Sequence, residues 1–274
     1  MGSLVLVGTP IGNLGDLSPR AVEALKAADA IACEDTRRTG RLLQHAGVES
    51  PRLLVVNDQN EVDAAEGLVR LLDAGHDVAL VTDAGMPGIS DPGERVVAAV
   101  LAAGHDVTVV PGPTAVSSAL VASGLPTARY VFEGFLPRKG TARTERLLEL
   151  ATEQRTVVMY EAPHRAERTL NDLSNIFGPE RRVAVGRELT KLHEQVWRGT
   201  LADAVEWASA TIKGELVFVI AGARAADPAT DDEVMTELRT AIAGGESKRD
   251  AVAAVAGRLG VGKNRAYDLV NRLD

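Results

Sequence analysis

The sequence contains little cysteine, few aromatic residues and no long apolar run. Its 274 residues include one cysteine, Cys33, which excludes an internal disulfide framework and a cysteine-rich zinc site. No apolar run approaches the ~20 residues that span a bilayer. The opening MGSLVLVGTP has no basic region before its apolar stretch and predicts a strand, not a signal peptide. These absences favour a cytoplasmic protein that has no membrane segment.

The sequence also contains fewer positively charged than negatively charged residues. Lys and Arg together number 30 against 38 Asp and Glu, which gives a formal net charge of −8. This balance argues against indiscriminate nucleic-acid binding, although it leaves room for a local basic face. The five histidines are scattered without metal-ligand spacing, so we expect no metal site. A Gly-x-Ser-x-Gly elbow is also missing.

Apolar strands alternate with amphipathic helices through the first ~125 residues, which predicts a mostly parallel sheet with helices on its faces. A second α/β unit follows, and successive strands within 182–198 predict an antiparallel part. After a polar segment at 223–233 the chain is helical, and two short helices around 259–264 have helix-turn-helix spacing. A helical cap packed on the body explains that spacing at least as well as nucleic-acid contact does. We expect three domains, at residues 1–123, 124–224 and 225–274.

Three loops rich in Gly and Pro follow strands of the first domain, at 8–17, 83–93 and 109–120. Because ligands bind beyond the carboxyl ends of strands in open α/β sheets, these loops predict a pocket with a floor of backbone. The middle loop carries Asp83 and Asp91 and no lysine. Two carboxylates suit a cationic, hydroxyl-rich ligand such as S-adenosylmethionine better than a phosphate. A capped surface turn is the alternative for that loop taken alone.

Basic residues are concentrated in two segments. In CEDTRRTGRLL (33–43), Arg37 and Arg41 share a helix face and either remain solvated or hold phosphate beside the pocket. FEGFLPRKGTARTER (132–146) mixes two phenylalanines with basic residues, which suits an unstacked nucleotide and its backbone. The alternative places both phenylalanines in the core and the basic side chains on the surface.

The ordered set of motifs resembles the tetrapyrrole methylase superfamily, in particular its group that methylates small-subunit ribosomal RNA. The segments that carry the resemblance are TPIGNLGDL, CEDTRRTGRLL, TDAGMPGISDPG, PGPTAVSSAL, GLPTARYVFEGFLPRKG, YEAPHR, RELTKLHE and KGELV. They extend from about residue 4 to 221, and the helical tail resembles the family's small C-terminal domain. The resemblance implies two α/β domains of the class III methyltransferase type, usually in a homodimer.

The same resemblance implies S-adenosylmethionine as cofactor and the ribose 2′-hydroxyl of a cytidine in the decoding region of 16S rRNA as target. The matching cofactor positions are Thr9, Pro10, Ile11, Asp83, Ala84, Gly85, Ile89, Gly112, Thr114, Ala115, Tyr160, Glu161, Gly214 and Leu216. Candidates for RNA contact are Arg37, Arg41, Arg138, Lys139 and Arg143. Candidates for taking up the hydroxyl proton are Glu34, Asp35, Glu61, Glu133 and Lys191.

Two positions depart from the family pattern. Residues 57–61 read Asn-Asp-Gln-Asn-Glu where the family commonly has His-x-His-Asn-Glu, so no histidine base is available there. Met86 replaces the Thr that commonly follows Asp-Ala-Gly. Two other functions remain open, a methyltransferase of tetrapyrroles or other small molecules and a non-enzymatic RNA-binding factor. The basic segment 132–146 and the helical tail argue against the first, and measured cofactor binding would test the second.

Overall fold

The computed structural model describes residues 2–49, 52–209, 212–224 and 229–273. Its chain divides into two compact units, Met1–Ala223 and Arg224–Asp274. Residues 225–228 of the predicted polar linker lie outside the described part. The first unit contains two five-stranded sheets, and the division of this unit into domains at residue 123 stays a prediction.

The first sheet is entirely parallel, as the strand–helix alternation predicts. Its strands are β1 (Leu4–Val7), β2 (Ala30–Cys33), β3 (Arg52–Val55), β4 (Val78–Leu80) and β5 (Val107–Val110), in the order β3-β2-β4-β1-β5. The helices that connect or follow them are α1 (Pro19–Ala27), α2 (Thr36–Ala46), α3 (Glu61–Asp73), α4 (Glu94–Ala102) and α5 (Ala115–Ser123). All residues of β2 and β4 are buried, as expected for central strands covered on both faces.

Polar side chains begin several of these helices. The Ser18 hydroxyl accepts a hydrogen bond from the Ala21 amide at 3.1 Å, and Pro19 occupies the first turn of α1. The Thr114 hydroxyl accepts from the Ser117 amide at 3.2 Å and starts α5. Such side-chain acceptors satisfy amides that have no partner within the helix.

The second sheet is mixed, which confirms the predicted antiparallel part. Its strands are β6 (Tyr130–Phe135), β7 (Thr156–Glu161), β8 (Arg182–Arg187), β9 (Gln195–Thr200) and β10 (Leu216–Ile220). They lie in the order β6-β7-β10-β8-β9, and only the β6–β7 pair is parallel. One face packs against α6 (Thr141–Ala151), α7 (Ala166–Phe177) and α8 (Leu201–Ala208).

Helix α5 packs on the other face of the second sheet. Val116 and Leu120 of this helix join a buried cluster with Val158, Val217 and Val219 of the second sheet. The cluster also contains Ile11, from the loop after β1. Because α5 follows directly on β5, this packing holds the carboxyl edge of the first sheet against the second sheet.

The second unit is a small helical bundle with a core of its own. It consists of α9 (Asp231–Ala243), α10 (Lys248–Leu259) and α11 (Lys263–Val270). Val234, Leu238, Val255 and Leu269 are buried within it. Among the residues described here, no helix is long and apolar enough to cross a membrane.

Candidate active site

The three Gly/Pro loops of the first sheet meet at one edge, as their positions after neighbouring strands predict. Thr9 donates its amide to the Gly85 carbonyl at 2.8 Å, and the Gly85 amide returns a bond of 3.2 Å. The buried Thr9 hydroxyl donates to the Thr82 carbonyl at 3.2 Å. A Cβ on Gly8 would lie 2.5 Å from the Gly112 nitrogen, so these two backbones approach closely because neither carries a side chain. The loops are thus joined through their backbones.

A cleft of about 500 Å³ opens between these loops and the ends of β7, β8 and β10. This volume lies within the range of small-molecule sites. Most of the predicted cofactor residues line it, namely Ile11, Asp83, Ala84, Gly85, Ile89, Thr114, Ala115, Tyr160, Glu161 and Leu216. Glu34, Arg38, Met86, Ser90, Asp91, Phe135, Ala162, Pro163, Gly186, Leu189, Glu215 and Val217 complete the wall.

Four of the predicted cofactor residues are not part of this wall. Thr9 and Gly112 belong to the junction of loops, and Pro10 follows Thr9 in the same loop. Gly214, which has a φ of 93°, packs against Glu188 so closely that a Cβ would lie 2.3 Å from the Glu188 Cγ. These positions shape the backbone next to the cleft.

Three carboxylates of the cleft already have strong partners. Asp83 accepts a hydrogen bond from the Asp35 amide at 3.2 Å and pairs with Arg38 at 3.3 Å. Glu161 is buried; it accepts from the Thr169 hydroxyl at 2.5 Å and pairs with the Arg165 guanidinium.

Glu215 pairs with the Lys191 ammonium at 2.8 Å. Although burial acts in the opposite direction, hydrogen bonds to Glu215 and Glu188 raise the pKa of Lys191. Lys191 therefore stays protonated at neutral pH, which makes it a poor proton acceptor.

Glu34 and Asp91 differ from those three carboxylates. Neither forms an ion pair within the described residues, and both line the cleft. Burial raises the pKa of Asp91 to about 6; the Thr82 side chain acts against this rise, and the neighbouring charges of Asp83, Asp58 and Glu215 add to it. Burial, followed by the charges of Asp83 and Asp91, also raises the pKa of Glu34.

The other predicted proton acceptors are committed to structural contacts. Asp35 caps α2 and binds Arg37, whose hydrogen bonds lower the pKa of this carboxyl to about 2. Glu61 is buried and accepts from the Gly93 amide at 2.8 Å and the Arg95 amide at 3.0 Å. Glu61 therefore holds the end of the 83–93 loop at the start of α4.

Glu133 also has a partner. Its two carboxylate oxygens accept from the Arg146 guanidinium at 2.6 and 2.5 Å. This bidentate pair fixes β6 to α6 and removes Glu133 from the set of available bases.

Four of the five basic residues predicted to contact RNA are exposed, and one is not. Arg37, Arg41, Arg138 and Lys139 have exposed side chains. Arg143 is 3% exposed, and its guanidinium binds Asp172 at 2.8 Å. Arg143 is therefore unavailable to a phosphate, and the prediction of RNA contact is wrong for this residue.

The two phenylalanines of the basic segment both lie next to Tyr160, and Phe132 packs half-buried against the hydrophobic cluster around α5. Phe132 and Phe135 have ring centroids 5.1 and 5.4 Å from that of Tyr160. Phe135 remains 52% exposed and lines the cleft. Burial, with the charges of Asp91 and Glu215, raises the pKa of Tyr160 to about 12, so its hydroxyl stays neutral.

Part of the wall was not anticipated from the sequence. Gly186, Leu189 and Val217 line the cleft from the second sheet. The sequence indicates only that these residues lie at or near the ends of β8 and β10. This position identifies them as wall residues only when the strand order of the second sheet is known. Within the described ranges, no group of three or more His, Cys, Asp or Glu residues could hold a metal ion.

The protein family is shown by a match over most of the chain. Residues 3–205 match the family described as Tetrapyrrole (Corrin/Porphyrin) Methylases, and the chain belongs to this family. A crystal structure of uroporphyrin-III C-methyl transferase from Thermus thermophilus, complexed with S-adenyl homocysteine, has a TM-score of 0.57 and 21% identity. The match covers 80% of this chain and 97% of that one, so it shows a common fold.

The similarity to curated relatives is more specific. The chain is 48% identical to "Ribosomal RNA small subunit methyltransferase I" of Synechocystis sp. over 277 residues, which cover 100% of this chain and 99% of the relative. It is 51% identical over 231 residues to the protein of the same name from Xylella fastidiosa, with 83% and 84% covered. Within the family, the chain therefore groups with the ribosomal RNA small subunit methyltransferases I.

Proposed function

We propose that this protein transfers a methyl group from S-adenosylmethionine to the ribose 2′-oxygen of a cytidine in the decoding region of 16S rRNA. The observation that carries the proposal is the full-length identity of 48% with a ribosomal RNA small subunit methyltransferase. Similarity across the whole chain includes the cleft, the basic segments and the helical unit. The tetrapyrrole methylases of the same fold are only 17–22% identical to this chain, so the fold alone does not favour a tetrapyrrole substrate.

The residues of the cleft fit S-adenosylmethionine. Its donor set combines backbone groups of the 83–89 loop with the carboxylates of Glu34 and Asp83, which suit a cation that also carries hydroxyl groups. Ile11 and Leu189 add apolar surface for an uncharged ring. The cofactor supplies an electrophilic methyl group on a sulfonium, which is a good leaving group.

The chain's contribution to such a reaction is mainly positioning and the exclusion of water. The Thr9–Gly85 backbone pair and the Gly8–Gly112 contact make the floor of the cleft rigid, and rigid alignment of two reactants lowers the barrier. The apolar side chains of the wall keep water away from the reacting atoms.

RNA selection is assigned to the exposed basic residues. Arg37 and Arg41 lie on α2, which starts beside the cleft residue Glu34, and Arg138 and Lys139 follow the cleft residue Phe135. We infer that these four side chains hold phosphates while Phe135 stacks against an unpaired base.

We further infer that the protein acts as a homodimer on rRNA within the small ribosomal subunit. Large apolar side chains that remain exposed support a contact with a second copy, since Val121 of α5 is 72% exposed and Leu192 is 93% exposed. Exposed apolar surface of this kind favours burial in an interface. Light scattering at several protein concentrations measures the oligomeric state.

The decisive experiment incubates the protein with methyl-labelled S-adenosylmethionine and undermethylated small ribosomal subunits, and then maps the modified nucleotides. We expect one labelled cytidine that carries a 2′-O-methyl group. A parallel reaction with protein-free 16S rRNA compares the assembled and naked substrates. The proposal fails if no 2′-O-methyl label enters rRNA although the protein binds the cofactor.

A further inference from the structure

The carboxylates near the cleft differ in whether another group already holds them. Asp83, Glu161 and Glu215 each have a cationic partner. Asp35 caps α2, Glu61 accepts hydrogen bonds from the amides at the start of α4, and Glu133 pairs with Arg146. Glu34 and Asp91 are the two cleft carboxylates without an ion pair in the described ranges, so a proton acceptor is to be sought between them.

Asp91 lies where the cofactor loop meets the second sheet. Its neighbour Ser90 has a φ of 61° and lies so close to β6 that a Cβ on Gly134 would be 3.2 Å from the Ser90 hydroxyl oxygen. The charge of Asp91 acts on the Tyr160 hydroxyl, and the Tyr160 ring contacts Phe135. Asp91 therefore lies between the 83–89 loop and the aromatic residues Phe135 and Tyr160.

Glu34 has a different neighbourhood. It follows β2 directly, next to the residues that cap and begin α2. Besides burial, the charges of Asp83, Asp91 and Asp58 raise the pKa of Glu34, and Arg38 acts in the opposite direction with the smallest effect. Glu34 is thus next to the start of helix α2, and no contact of Glu34 with β6 is observed within the described residues.

We propose that Asp91 is the catalytic base, whose carboxylate accepts the proton of the attacking ribose 2′-hydroxyl. This inference rests on the proposed function. The ribose oxygen forms a bond to the methyl carbon while the carbon–sulfur bond breaks and its electron pair stays on sulfur. The hydroxyl proton moves to Asp91 and then to water, which restores the ionised carboxylate.

The environment of Asp91 suits this role. A general base works best when its pKa lies near the working pH, and with a pKa of about 6 Asp91 is ionised at neutral pH yet more basic than an ordinary aspartate. The titratable groups that interact with it are Glu34, Asp58, Asp83, Tyr160 and Glu215. Arg38 is paired with Asp83, so the local balance of charge favours the protonated form.

The first test compares Asp91→Asn with the wild type in the labelled-subunit assay across pH 5 to 8. We expect kcat/KM of Asp91→Asn to fall by about 10²–10⁴-fold, the usual contribution of a general base. The wild-type rate should fall as the pH drops through about 6, because protonated Asp91 accepts no proton. The residual rate of Asp91→Asn should not decrease over this pH range.

Two further variants separate Asp91 from its neighbours. Glu34→Gln should keep the acid limb of the pH profile but move it to lower pH, because removal of a nearby negative charge lowers the pKa of Asp91. Asp58→Asn removes an exposed carboxylate that does not line the cleft. It should keep near wild-type activity at pH 8 and also move the acid limb to lower pH, because the charge of Asp58 contributes to the raised pKa of Asp91.

A second readout does not depend on activity. Because the pKa of Asp91 is raised from 3.8 to about 6 on folding, its ionisation destabilises the folded protein as the pH rises through this window. Asp91→Asn should therefore raise Tm relative to the wild type at pH 7 and leave it nearly unchanged at pH 4. A purely structural aspartate would give a lower Tm at pH 7 when replaced.

The outcomes distinguish this inference from the proposed function. Wild-type protein that labels no rRNA contradicts the proposed function. Wild-type protein that labels rRNA, combined with an Asp91→Asn variant that keeps both kcat/KM and the acid limb, overturns the role of Asp91 alone. A loss of activity together with a lowered Tm at pH 7 overturns it as well, since Asp91 would then act through the fold.

Discussion

Arg143 is a charged residue whose role depends on burial. Its sequence neighbours Arg138 and Lys139 are exposed, whereas the Arg143 guanidinium donates to the Thr169 hydroxyl at 2.9 Å and to the Asp172 carboxylate at 2.8 Å. Thr169 in turn donates to Glu161 of the cleft wall. A continuous hydrogen-bond network therefore links α6, α7 and the end of β7, and Arg143 is its cation.

Removal of this cation should destabilise the fold. We expect Arg143→Ala to lose about 3 kcal/mol of the free energy of unfolding, because it leaves the carboxylate and hydroxyl of the network without their partner. Arg138→Ala, at an exposed position in the same segment, should stay within about 0.5 kcal/mol of the wild type. Urea unfolding measures both, and an unchanged midpoint for Arg143→Ala would contradict the structural role.

At the scale of elements, the site depends on three loops that touch through their backbones. The contact requires glycine on both sides, because a Cβ on Gly112 would lie 2.7 Å from the carbonyl carbon of Gly8. Neither atom belongs to a flexible side chain, so the added methyl group must move a loop. The order of β4, β1 and β5 in the sheet brings these loops together.

Gly112→Ala tests this contact. We expect a loss of about 1–3 kcal/mol in the free energy of unfolding from the forced displacement, together with weaker binding of S-adenosylmethionine in calorimetry. Gly67→Ala is the matched control within α3, since its Cβ would meet nothing closer than 3.7 Å. The control should be neutral or slightly stabilising, and equal effects of the two substitutions would argue against a specific contact at Gly112.

At the scale of the whole molecule, a net charge of −8 coexists with a group of exposed arginines near the cleft. Such a protein binds RNA through a local surface, and each phosphate that it neutralises releases counterions. Binding should therefore weaken with salt in proportion to the few basic residues in contact, not to the total charge.

Arg138→Gln should weaken binding to 16S rRNA and reduce the slope of log K against log salt by about 0.7–0.9, the value for one phosphate contact. Arg70→Gln, which removes an exposed arginine of α3 that pairs with Glu66, should leave the slope unchanged. Filter binding at several salt concentrations gives both slopes. Equal slopes for wild type and Arg138→Gln would remove this residue from the proposed RNA surface.

The sequence by itself determined where most strands and helices lie and that the protein has an α/β fold. Apolar runs depend on local sequence, so β1, β2 and β5 begin and end where these runs do. Capping residues fixed the starts of α1 and α5 for the same local reason. The three Gly/Pro loops, and with them most of the cleft wall, followed from strands that run parallel. The family resemblance from residue 4 to 221 came from motif order, which is also a property of the sequence.

Only the tertiary structure decided which charged residues are available for chemistry. Arg138 and Arg143 belong to one basic segment, yet Arg138 is exposed and Arg143 is buried. The difference arises because Arg143 lies on the face of α6 that packs next to Asp172. Among the acidic residues, Glu61 and Glu133 have long-range partners, whereas Asp91 forms no ion pair with any residue that the structure describes. These partners come from distant parts of the chain that packing brings together, so local sequence carries no signal for them. Burial and long-range pairing set the electrostatics of the cleft, and both arise only when the two sheets pack around α5.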